Sequence, residues 1–280
     1  MNIVELAKSS STWPNWVPNC ANLACRRTRL WQTVWGRREG ATVSGDWYCS
    51  ADCFEEAIEI RFTQLLSARI GLEEIRRPRM PLGLLLVSRG VITTEQLRVA
   101  VDRQRELGLN MGEVLQQLGY AKQEQVTSAV AAQWGCPVFS IRTNNLPFQV
   151  RIPRALLEFY GMLPVHFVEA GRKLMMGCVR GVHHQVLHMI EQMTACSTLP
   201  CFIAARQFDV HLPAFLRGAA NQEVTFEQSS SSLEMARIAR NYLLQLGAEQ
   251  VRVAICRDYL WTRFFSRTKE FDLLFRQASH

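Results

Sequence analysis

Residues 81–104 and 110–133 are two versions of one 24-residue stretch, separated by five residues. The first reads PLGLLLVSRGVITTEQLRVAVDRQ and the second NMGEVLQQLGYAKQEQVTSAVAAQ. Gly83/Gly112, Leu86/Leu115, Gly90/Gly119, Glu95/Glu124, Gln96/Gln125, Ala100/Ala129, Val101/Val130 and Gln104/Gln133 are identical in register. A duplication that preserves glycine and glutamine positions restricts the fold sharply. One small helical unit is used twice, side by side.

Each unit reads as a short helix, a glycine stop and a longer helix. Leu82, Leu85 and Leu86 share one helical face, and Leu97, Ala100 and Val101 give the buried stripe of the next helix. Gly90 stands where a C-terminal cap calls for positive φ. Thr93 and Gln96 have the spacing of a capping box. The second copy repeats the pattern with Met111, Val114, Leu115, Gly119, Val126, Ala129 and Val130. Its counterpart of Thr93 is Lys122, which cannot accept a capping bond. Gly83 and Gly112 lie inside helices, where glycine costs about 1 kcal/mol against alanine. Two readings are open: close helix-to-helix packing, which is the commoner cause, or a flat ligand laid against both helices.

These two segments resemble the tandem motifs of the MshEN domain, the N-terminal domain of type II secretion and type IV pilus assembly ATPases. The family pattern runs Arg-Leu-Gly, then spaced hydrophobic positions, a glycine, two leucines and a closing glutamine. Motif length and spacer both match. The resemblance implies a cyclic di-GMP site. Gly83, Gly90, Gly112 and Gly119 would be its backbone positions. Leu82, Leu86, Val91, Leu97 and Val101, with Met111, Leu115, Tyr120, Val126 and Val130, would make its apolar contacts, and Gln104 and Gln133 would close each motif. The leading arginine is Pro81 in one copy and Asn110 in the other. Neither carries the charge that pairs a guanine edge, so weak or absent cyclic di-GMP binding is expected. Arg79, Arg89 and Arg105 are the nearby cations.

Downstream, a strand is expected at Pro137–Ile141 and a helix from Arg154 to about Tyr160, after Pro153. Strands follow at Met162–Val168 and Lys173–Val179, then a helix at Val182–Met193 and a strand at Cys201–Ala205. This order resembles the α/β half of the same domain, so the resemblance covers roughly residues 80–215.

Cys20 and Cys25 are spaced C-x4-C, Cys49 and Cys53 are spaced C-x3-C, and 23 residues separate the pairs. Two close pairs flanking a hairpin-sized segment are the arrangement of a four-cysteine zinc site. A hairpin is expected between them, with its turn near Gly36–Gly40, and a helix from Phe54 to about Ala68. The stretch from Tyr48 to Cys53 resembles the second knuckle of treble-clef and zinc-ribbon modules. Two disulfides or free buried thiols are the alternatives. No signal peptide is read at the N-terminus, so a reducing compartment and a closed, structural zinc are expected. Trp13, Trp16, Trp31, Trp35 and Trp47 fall in the same part.

Cys196 and Cys201 lie downstream of His183, His184 and His188. Cysteine at the start of an apolar strand reads better as packing than as a second metal site. The net charge of +7 is spread along the chain, and reads as a solvated surface more readily than as a nucleic-acid groove. Arg76, Arg77 and Arg79 cluster ahead of the repeat.

The expected fold class is α+β and multidomain. It comprises a zinc module over 1–75, an MshEN-like domain over 76–216, a linker over 217–232 and a small α/β module over 233–280. The last holds a helix at Leu233–Leu246 and strands at Gln250–Cys256 and Tyr259–Phe265. No G-x-x-x-x-G-K-[ST] and no G-x-S-x-G occurs in the chain, so no enzyme is expected. The function expected is a cytoplasmic regulatory or adaptor protein with a partner in a secretion or pilus machine. A stand-alone cyclic di-GMP receptor and a zinc-ribbon nucleic-acid regulator are the alternatives.

Overall fold

The computed structural model describes residues 20–25, 40–69, 79–142, 146–219, 222–227, 231–267 and 269–277. The described residues form a mixed α+β structure with two sheets. Two compact units are distinguished. The first comprises Met1–Gln64, Ser230–Arg252 and Phe264–Lys269, and the second Leu65–Ser229, Val253–Arg263 and Glu270–His280.

In the first unit, β1 (Ala41–Val43) and β2 (Asp46–Tyr48) form an antiparallel pair. Ser44 and Gly45 make the turn at φ 50° and 104°, the two-residue geometry that matches strand twist. The described hairpin thus turns at Ser44–Gly45; the turn expected near Gly36–Gly40 falls, but for Gly40, outside the described residues. Trp13, Trp16, Trp31, Trp35, Arg76 and Arg77 also fall outside them. β1 pairs in parallel with β7 (Gln250–Ile255) through Thr42↔Gln250 and Val43↔Val251. Helix α1 (Ala51–Arg69) buries Phe54, Ile58 and Phe62 completely, one residue per turn on one face. Helix α9 (Ser232–Leu246) starts where the Ser231 hydroxyl accepts from Glu234 N–H at 3.2 Å. Its Arg240 meets Asp52 at 2.7 Å and Glu55 at 3.2 Å on α1.

In the second unit, the repeat forms four helices: α2 (Leu82–Ser88), α3 (Thr94–Leu107), α4 (Met111–Gln117) and α5 (Gln123–Trp134). Gly90 and Gly119 both stand at φ 69°, a left-handed conformation that a side chain would strain. Thr93 Oγ1 accepts from Gln96 N–H at 3.1 Å, and Gln96 Oε1 from Thr93 N–H at 2.8 Å. At Lys122 only half of this box survives: Gln125 Oε1 accepts from Lys122 N–H at 2.8 Å.

The α/β part begins with α6 (Arg154–Tyr160). Strand β3 (Met162–Val168) pairs antiparallel with β4 (Lys173–Cys178), with a register shift between Pro164 and His166, where proline has no N–H to offer. Helix α7 (His184–Thr194) crosses to β5 (Ser197–Phe202), which lies parallel to β4. The strand expected at Pro137–Ile141 is only an isolated bridge, Val138↔Phe202. The strand expected at Cys201–Ala205 begins earlier, at Ser197, and stops at Phe202.

Helix α8 (Ala205–Ala219), β6 (Glu223–Phe226) and the start of α9 occupy the stretch read as a linker over 217–232. The region 233–280 contributes to both units and carries β8 (Tyr259–Phe265) and a further strand, β9 (Glu270–Arg276), parallel to β6. Strand β6 also caps a helix. The Glu223 carboxylate accepts from Arg154 N–H at 2.8 Å and Ala155 N–H at 3.3 Å, at an α6 N-terminus where Pro153 has no capping oxygen. Among the described residues, no helix is long and apolar enough to cross a membrane.

Candidate functional site

The cysteine cluster is assembled by three local devices. Asn22 Oδ1 accepts from Ala24 N–H at 2.9 Å, and its Nδ2 donates to Glu56 at 2.7 Å. This turn places Cys25, whose N–H bonds Asn22 O at 2.9 Å. Ala21 N–H bonds Trp47 O at 2.8 Å, tying the Cys20 end to β2. Ser50 then accepts from Cys53 N–H at 3.3 Å through Oγ and from Phe54 N–H at 3.0 Å through its carbonyl. The first turn of α1 thereby turns Cys53 back towards Cys49.

All four Sγ atoms of Cys20, Cys25, Cys49 and Cys53 lie within 4.8 Å of one another, and no disulfide joins them. Cys25–Cys49 is 3.4 Å and Cys49–Cys53 is 3.8 Å. A tetrahedral four-thiolate site with metal–sulfur bonds of about 2.3 Å has sulfur–sulfur edges of about 3.8 Å. The cluster therefore fits a tetrahedral, thiophilic cation. Burial holds the Cys49 thiol well above its ordinary pKa, with the neighbouring Cys25, Cys20 and Cys53 thiols adding to the rise. Burial raises Cys53 as well. Four thiolates this close and this buried repel one another unless a cation sits among them. With all four ligands from protein, no open position remains for substrate. It is the only such group of metal-type side chains among the described residues. Cys196 and Cys201 instead donate to carbonyls, of Thr194 at 3.4 Å and of Met176 at 3.5 Å.

The repeat residues divide into packing groups and surface groups. Leu86 and Leu115 are fully buried, in one cluster with Ala100, Val114, Val126 and Ala129. Val91, Leu97, Val101, Val130, Leu82, Met111 and Tyr120 are half-buried, while Gly90 and Gly119 are exposed at the helix ends. A Cβ on Gly83 would overlap a Leu97 methyl, and one on Gly112 would stand 2.8 Å from Val126 Cγ1. Leu97 and Val126 occupy the same register in the two copies. Helix packing within each unit thus accounts for both glycines. Helix α2 packs on α5 and α3 on α4, so each unit's short helix lies against the other unit's long one.

The closing glutamines follow the same reciprocity. Gln104 Nε2 donates to Leu109 O at 3.1 Å, and Gln133 Nε2 to Met80 O at 2.6 Å. Each acceptor immediately precedes the other motif's first residue. Beside α4 and α5, Leu82, Met111, Gly112, Val126 and Val130 line a cavity of about 420 Å³. Asn110 lies on its edge, and Arg180, Ile203 and Phe208 from the α/β part close it. The structure thus brings only some of the expected ligand contacts to one surface. Leu86 and Leu115 are taken up by the core, and Gly90 and Gly119 cap helices.

No protein-family model matches the chain. The similarities found are to secretion and pilus ATPases of the GspE/MshEN type, in three of them as follows. Over 100 residues the chain is 28% identical to the type IV pilus assembly ATPase PilB of Thermus thermophilus, a match covering 31% of this chain and 11% of that protein. A structure of MshE with cdg is 19% identical, with a TM-score of 0.42, covering 49% of this chain and 99% of that one. The N-terminal domain of XpsE is 13% identical, with a TM-score of 0.33, covering 47% and 91%. The chain thus spans about a tenth of the length of the curated relative it matches.

Proposed function

We propose that this chain is a non-enzymatic adaptor of the type II secretion and type IV pilus class, built on a tandem MshEN-like repeat and a zinc-stabilised module. The observation that carries this reading is the reciprocal packing of the two repeats, with each closing glutamine bonded across to the start of the other motif. That arrangement follows from the same sequence pattern that resembles the family. Zinc is the metal assigned to the cysteine cluster, because four thiolates in tetrahedral array select a soft, redox-inactive ion. The absence of any P-loop sequence leaves the chain without a phosphate cradle for ATP hydrolysis.

The test is genetic and biochemical. Deleting the gene is expected to impair pilus assembly or secretion in the source bacterium, and supply of the chain in trans to restore it. The purified chain is expected to show no ATP turnover. Wild-type pili and secretion in the deletion strain, or ATPase activity lost on a point mutation in this chain, would overturn the reading.

Cyclic di-GMP is the ligand that the resemblance brings to the repeat. With Pro81 and Asn110 at the leading positions, calorimetry is expected to show weak or no binding. Each missing arginine removes charge-assisted bonds worth about 1.5–3 kcal/mol apiece. Pro81→Arg together with Asn110→Arg is expected to raise affinity about tenfold, or about 1.4 kcal/mol. Both positions precede helix starts and are exposed, so the fold should tolerate them. Submicromolar binding by the unaltered chain would mean that Arg79 or another cation already serves.

A further inference from the structure

We infer that the larger cavity of the α/β part is a binding site for a nucleotide-sized phosphate ester, a nucleoside monophosphate being the simplest member of the class. This cavity, of about 720 Å³, lies within the size range of small-molecule sites. Three guanidinium groups line it, those of Arg79, Arg180 and Arg257. Among the described residues neither Arg180 nor Arg257 has an ion-pair partner. Arg79 lies 3.4 Å over the Trp134 ring, a stacking that occupies the face of the guanidinium and leaves its in-plane N–H donors for a ligand.

Among the described residues, one carboxylate lines this cavity with these cations. It belongs to Asp258, and it already accepts a hydrogen bond from the Tyr160 hydroxyl at 2.7 Å. The wall continues through Gly181–His183 into the start of α7, an 11-residue helix whose positive dipole end adds to the field. Aromatic side chains of Trp134, Phe159 and Tyr160 line it too, with Gln133, Gln185 and Val186. Arg180 and Arg257, with no ion pair among the described residues, beside aromatic side chains suit a ligand with phosphate at one end and a flat ring at the other. The Asp258 oxygens can only accept, which favours a base that carries an amino group over one that does not. This inference does not depend on the secretion-machine reading. Arg257 lines this cavity and not the smaller one beside the repeat.

The test is calorimetric titration of the full chain with GMP, AMP and UMP, and with inorganic phosphate and an acidic oligoglutamate peptide for comparison. GMP or AMP is expected to bind about tenfold more tightly than inorganic phosphate, and affinity should fall as salt rises. Arg257→Ala and Arg180→Ala are each expected to weaken binding about tenfold. Both side chains are exposed, so melting temperatures should stay at the unaltered value and separate lost contact from lost fold. No saturable heat at millimolar nucleotide would overturn the inference, as would equal affinity for inorganic phosphate or unchanged binding in Arg257→Ala. Preference for the oligoglutamate peptide would overturn it too, and would make the cavity a docking site for an acidic protein segment. Arg180 lines both cavities, whereas Arg257 lines only the larger one, so Arg257→Ala separates this reading from the cyclic di-GMP one: it should weaken mononucleotide binding and leave any cyclic di-GMP binding unchanged.

Discussion

The purified chain is expected to carry one zinc ion, and Cys49→Ser or chelation is expected to unfold the first unit while the repeat helices keep their structure. The size of the effect follows from how little else holds the knuckles. Among the described residues the buried cluster around the sulfurs is Cys20, Trp47 and Cys49, with Cys25, Tyr48 and Cys53 packed against it. The two described strands between the cysteine pairs are three residues each, too short to be stable alone. Structural zinc supplies about 10–16 kcal/mol of apparent binding energy in small zinc modules, and that energy is folding energy. Serine cannot furnish the thiolate, and three remaining thiols leave the ion with an open position. The loss should spread along α1, because Cys53 lies in the first turn of that helix and Asp52 and Glu55 beside it hold Arg240 of α9. Metal analysis, hydrogen exchange and thermal melts would read all three consequences. A purified chain without metal, or a Cys49→Ser variant that melts as the unaltered protein does, would sink the assignment.

What the sequence disclosed is what local chemistry controls. Glycine at a helix end has one dominant use, and Gly90 and Gly119 have it. Thr93 and Gln96 sit three residues apart for a bond that closes between neighbours. The four cysteines are spaced for one ion, and they converge. What stayed hidden depends on partners far along the chain. β6 and β9 are parallel neighbours whose pairing, Glu223↔Asp272 to Phe226↔Phe275, no local pattern announces. Helix α8 carries Pro213 within it, a residue that argues against a helix interior when read alone. Pro137–Ile141 has the apolar content of a strand. Yet it meets β5 through only two bonds, Phe202 N–H to Pro137 O and Phe139 N–H to Phe202 O, each 2.8 Å. The close approach at Gly83 and Gly112 shows the same limit. The sequence signals that something approaches each backbone, and only the fold reveals that it is the side chain of Leu97 or Val126. Likewise Arg79, Arg180 and Arg257 are spread over nearly the whole second unit, and nothing in their spacing predicts one cavity.

Asp272→Ala is expected to destabilise the second unit by about 3–5 kcal/mol, enough to remove much of the stability of an ordinary domain. Arg263 and Asp272 are both 3% exposed. Arg263 Nε donates to Asp272 Oδ1 at 2.7 Å and its Nη2 to Oδ2 at 2.9 Å, the fork geometry that best offsets the cost of burying both charges. The Trp261 indole N–H also donates to Oδ1 at 2.7 Å, and Arg263 Nη2 reaches Arg151 O at 2.8 Å. Removing the carboxylate therefore strands a buried guanidinium and a buried indole N–H together. Glu270, 3.8 Å from Arg263 Nη1, is more exposed and too distant to replace it. Asp272→Asn keeps the volume and one acceptor oxygen but loses the charge, so its cost should be smaller. Replacing both partners, Arg263→Met with Asp272→Leu, removes the buried charges altogether and should recover much of the loss, because the desolvation penalty goes with them. Urea melts of the three variants provide the comparison. If Asp272→Ala costs less than about 1 kcal/mol, the pair behaves as an exposed one does. If the double replacement is no better than the single, the network stabilises β8 and β9 through its geometry and not merely through mutual neutralisation.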